Sequence, residues 1–66
     1  MNLGKLYRRI ARSLYVAEDA VRRLRDAITE DVDQRDYIDR QAALAIEALQ
    51  MVRDNIAQSK EGETNG

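Results

Sequence analysis

The chain contains no cysteine, histidine, proline, tryptophan or phenylalanine. Without cysteine there is no disulfide to staple the fold, and without cysteine or histidine a structural zinc site lacks its usual ligands. The same gaps leave no thiolate nucleophile and no imidazole base. Ser13 and Ser59 have no activating neighbour in sequence, and there is no glycine-rich phosphate loop. The acidic cluster Glu30, Asp31, Asp33 and Asp36 resembles a calcium loop only superficially. Arg35 falls where such a loop needs an oxygen ligand and Asp36 where it needs glycine. We therefore expect no enzymatic activity, no metal and no cofactor. No apolar run approaches the roughly 20 residues of a membrane span, and no signal peptide is visible. A cytoplasmic protein with no membrane partner is expected.

What remains favours helix. Of 66 residues, 44% are hydrophobic and 35% charged, with only three tyrosines as aromatics, so strand formers are scarce. A chain this short forms one domain with a thin core, and proteins of this size usually need a staple. With disulfides and zinc removed, a partner subunit is the staple left.

Leu3, Tyr7, Ile10, Leu14, Ala17, Val21, Leu24 and Ile28 alternate in steps of four and three, the spacing of one face of a helix. Leu6, Ala20 and Ala27 widen that face on one flank and Ala11 on the other. With Asn2 as cap, a first helix is expected over 3–29. Ile38, Ala42, Ala45, Leu49, Val52 and Ile56 repeat the pattern and predict a second helix over 34–58. Asp33 suits its N-cap, Asp36 its first turn, and Val32 with Tyr37 a hydrophobic staple. Residues 30–33 then form a turn, and the polar stretch 59–66 reads as a disordered tail. The first heptad phase also passes through Asp31 and Arg35 onto Ile38, so one continuous helix about 80 Å long is the alternative. Weak helix formers at Thr29, Asp31, Val32 and Asp33 favour the break.

Charge divides along the chain. Residues 1–29 carry a net +4 and residues 30–66 a net −5, within an overall −1. Lys5, Arg8, Arg9 and Arg12 cluster near the amino end and are the candidate nucleic-acid contacts. The competing reading is a solvated basic face balanced by the acidic second helix. On the second helix, Tyr37, Leu44 and Met51 fall within about 40° of one another at 100° per residue, with Ala48 beside them. They extend the apolar arc beyond what one partner helix covers. Tyr37, Leu44, Ala48 and Met51 are thus the expected partner-binding face.

Two resemblances attach to these residues. Over about residues 17–57 the chain resembles the small E-type co-chaperones of type III secretion needle subunits. They too place an Asp four residues before a Tyr at the start of the second helix, as Asp33 and Tyr37 stand here. An Ala/Leu-rich stretch with a Glu follows, similar to Ala42-Ala43-Leu44-Ala45-Ile46-Glu47-Ala48. The step from Tyr37 to Glu47 is one residue short of that pattern, and the first helix is richer in arginine. The resemblance implies a hairpin that docks on a helical co-chaperone and keeps a needle subunit unpolymerised. The acidic turn Asp31-Val32-Asp33-Gln34-Arg35-Asp36 is also similar to that of the Rop-type RNA-binding hairpins, dimeric four-helix bundles that regulate plasmid copy number.

The expected fold is all-α: an antiparallel two-helix hairpin, coiled-coil-like, assembling into a four-helix bundle or docking on a helical partner. The expected function is a non-enzymatic protein-interaction module, a small chaperone or adaptor, working as a homo- or hetero-oligomer. The alternatives are an RNA-binding dimeric hairpin and a structural coiled coil.

Overall fold

The computed structural model describes residues 3–64, which form two helices, α1 (Leu3–Ile28) and α2 (Arg35–Thr64), packed side by side as an antiparallel hairpin. The chain turns between Ile28 and Arg35, so the continuous helix does not form. The longest dimension is 55 Å and the others 17 and 10 Å: a slab two helices wide and one helix thick.

The break has local causes. The last turn of α1 closes with three-residue hydrogen bonds, as the Thr29 amide donates to the Asp26 carbonyl (3.2 Å) and Glu30 to Ala27 (3.3 Å). The Thr29 hydroxyl donates to the same Asp26 oxygen at 2.7 Å. Such side-chain bonding to backbone competes with helix continuation. At the start of α2 the Gln34 carbonyl accepts the first helical bond, from the Ile38 amide at 2.8 Å. The backbone ladder therefore starts from Gln34, while the capping side chain is Asp33 as expected, its Oδ1 accepting the Arg35 amide at 3.2 Å. The expected staple is weak, because Val32 remains 69% exposed. The Asn2 cap lies outside the described residues.

At its far end α2 continues to Thr64 where a tail was expected from residue 59; residues 65–66 lie outside the described part. Polarity alone does not stop a helix, and no proline interrupts this stretch. The Ser59 hydroxyl donates to the Ile56 carbonyl at 3.0 Å within the continuing helix. Among the described residues, no helix is long and apolar enough to cross a membrane.

The seam between the helices differs from the expected one. On α1 the residues turned toward α2 are Leu6, Ile10, Ser13, Ala17, Ala20, Leu24 and Ala27. Facing them are Gln34, just before α2, and Ile38, Gln41, Ala45, Ala48, Val52, Asn55 and Ser59 of α2, with Ala42 half-buried at the edge. Among the described residues the most buried are all small or polar: Ser13, Ala17, Ala20 and Ala27 against Gln41, Ala45 and Ala48. Leu14, Val21, Leu49 and Ile56, all expected in the seam, are exposed. The reason lies in three adjacent apolar columns on α1. One holds Leu6, Ser13, Ala20 and Ala27, a middle one Leu3, Ile10, Ala17 and Leu24, and a third Tyr7, Leu14, Val21 and Ile28. Together they span about 100° of the helix. A single partner covers two columns, and the pair with alanine and serine at its centre lets the helix axes approach more closely.

Candidate functional site

Antiparallel helices are related by an axis normal to the slab, so equivalent columns emerge on the same broad face. The hairpin thus has two distinct faces, one on each side of its alanine seam.

The first face carries a groove of about 340 Å³, walled on α1 by Arg12, Ser13 and Val16 and on α2 by Leu44, Glu47, Ala48 and Met51. Its depth follows from the small residues beneath it, Ser13 and Ala48, which are buried. Val16, Leu44 and Met51 stand as its exposed apolar lips. Arg12 on one wall and Glu47 on the other place opposite charges across it. Of the expected contact residues, Leu44 and Met51 occupy this groove. Ala48, at 4% exposure, belongs to the seam and forms the floor, offering a partner little surface. Tyr37 lies nearer the turn, in a separate depression of about 160 Å³ with Arg23, Asp26, Ala27, Glu30 and Gln34. Val16 escaped the sequence reading because it is the lone apolar residue of its column, between Arg9 and Arg23. Knowing that its level on α1 coincides with Leu44 and Met51 on α2 would have revealed it.

The second face is built from the third α1 column, Tyr7, Leu14, Val21 and Ile28, and the matching α2 residues Ala42, Leu49 and Ile56. It is apolar from Tyr7 to Ile28 on α1 and from Ala42 to Ile56 on α2, with Arg35 at the turn end of the same α2 column.

Lys5, Arg8, Arg9 and Arg12 are all exposed on α1, within the sector of that helix turned away from the second face. Arg12 is the member that reaches the groove. Further along α1, Arg23 pairs with Asp19 at 3.0 Å. The acidic turn is occupied by its own neighbours. Glu30 accepts a hydrogen bond from Gln34 at 2.7 Å, and Arg35 grips the Asp33 carboxylate through its Nε at 3.0 Å and an Nη at 2.9 Å. The guanidinium, and then the Arg35 amide, hold the Asp33 carboxyl below its usual range, and Arg35 is raised in turn.

Comparison with protein-family models, curated proteins and solved structures finds no match to this chain.

Proposed function

We propose that this hairpin is a protein-binding module, an adaptor or small chaperone that takes the apolar side of a partner helix into the Leu44–Met51 groove. One observation carries the reading: no large side chain is fully buried among the described residues, while Val16, Leu44 and Met51 stand open around a groove. Apolar side chains left contiguous on a small protein mark interaction sites, and helix-in-groove docking is the mode this shape fits. Arg12 and Glu47 would orient the incoming helix by charge. Holding a needle subunit unpolymerised in the cytoplasm, as the type III secretion resemblance implies, is one instance of such an activity. An RNA-binding hairpin using Lys5, Arg8, Arg9 and Arg12 is the second reading, supported by the exposure of all four.

Co-purification from the native host, with the parent chain and a Leu44→Glu variant as baits, tests this. The expected result is a helical protein retained by the parent and lost with Leu44→Glu. Retention of RNA instead, weakening steeply with salt and abolished by Arg8→Glu with Arg12→Glu, would replace the proposal with the second reading.

A further inference from the structure

The groove leaves the opposite face unexplained, and that face carries more exposed large apolar side chains than the groove does. On it Tyr7, Leu14, Val21 and Ile28 of α1 and Leu49 and Ile56 of α2 are each at least 37% exposed. The middle columns beneath them, including Ile10, Leu24, Ile38 and Val52, are only half-buried by the hairpin itself. We infer that this face is where two copies of the chain pair, closing a four-helix bundle whose centre is the two sets of middle columns.

Three properties of the face select a second copy as its occupant. The first is shape. Both helices present the same seven-residue period, with no charged residue in the middle and third columns from Leu3 to Ile28 and from Ile38 to Ile56; Arg35, at the turn end of the third α2 column, lies beyond that stretch. A two-fold axis lays such a surface on itself, and a second copy supplies a partner of identical length and period. The second property is area. The slab is 17 Å wide, and 26 residues of α1 at about 1.5 Å each give about 39 Å of overlap. That offers roughly 650 Å² per copy and roughly 1,300 Å² for the pair, within the roughly 1,200–2,000 Å² of a stable specific interface. The third is charge. Each chain carries a net −1, so two copies meet without strong overall repulsion. Charged residues such as Arg12 and Glu47 lie on the groove side, which the bundle leaves in water.

This inference is independent of the groove reading, and its test separates the two. Sedimentation equilibrium of the purified full-length chain should give about twice the 7.6 kDa chain mass. Leu14→Glu and Leu49→Glu should reduce it to one chain with helical circular dichroism retained, whereas Leu44→Glu should remain paired. If the two face variants simply unfold, the parent's thermal midpoint decides, since a folded dimer melts higher as protein concentration rises. A single-chain mass at all concentrations, a midpoint independent of concentration, or a Leu14→Glu variant that still pairs would each overturn the inference.

Discussion

Ser13 is buried against α2, while its neighbour Leu14 is left 38% exposed. The same inversion recurs on α2, where Gln41 and Ala48 are buried while Leu49 is 46% exposed. The most buried positions of the seam are small or polar, with Leu6, Ile10, Leu24, Ile38 and Val52 half-buried among them, while the largest apolar side chains of the faces stay exposed. Each buried alanine methyl stabilises by only about 0.8 kcal/mol, so the hairpin gains its close approach at the expense of burying its bulk. The remaining apolar surface stays exposed on the two faces.

Enlarging the seam should destabilise the hairpin more than altering the faces. Ala17 and Ala48 are 4% exposed, so Ala17→Leu or Ala48→Leu overpacks the contact, at a cost of about 1–3 kcal/mol. At about 4–8 °C per kcal/mol for a domain of this size, the loss is visible in thermal melts followed by circular dichroism. Equal melting of the Ala17→Leu variant and the parent would show that the helices are not closed on that column.

Gln41 is 5% exposed, and its Oε1 has no hydrogen-bond partner. A buried unsatisfied polar atom costs about 1–3 kcal/mol. Gln41→Met keeps the length and removes the amide, so it should raise stability by about 1 kcal/mol. Chemical denaturation, with the midpoint rising and the slope unchanged, is the readout; a lower midpoint would mean the amide is satisfied in solution.

The turn predicts a pH dependence. Because Arg35 depresses the Asp33 carboxyl in the folded chain, the contact stabilises above the ordinary carboxylate range. That stability is lost as pH falls through this range toward the depressed value. Thermal melts of the parent and of Asp33→Asn should therefore differ at neutral pH and converge in acid. The pair is fully solvent-facing, so added salt should shrink the difference as well. A gap that persists in acid would assign the effect of Asp33 to something other than its charge.

Much of this architecture is legible in the residues, and the failures are informative. The four-three alternation from Leu3 to Ile28 and from Ile38 to Ile56 reveals both helices, and the weak formers Thr29, Asp31, Val32 and Asp33 reveal the turn. The choice of seam is not legible in the same way. Three adjacent apolar columns satisfy the same periodicity, and hydrophobicity favours the pair that includes Tyr7, Leu14, Val21 and Ile28. Steric closeness favours the alanine-bearing one, which also carries the polar Ser13 and Gln41. Leu44 and Met51 are readable as surplus apolar surface because they lie off the seam under either choice. Their groove is not readable, since it depends on Val16 and Arg12 of α1 coming level with them. The continuation of α2 to Thr64 is missed because polar residues without proline are as compatible with a solvated helix as with a loose tail.

Thiol labelling tests the central claim, that the groove is open in the free chain and closed by a partner protein. The chain has no cysteine, so Leu44→Cys and Ala48→Cys each carry a single reporter. In the purified chain Leu44→Cys should react quickly with an alkylating reagent and Ala48→Cys slowly. In the complex recovered from the native host, Leu44→Cys should become protected as well. Undiminished labelling at position 44 while the partner stays bound would contradict the account.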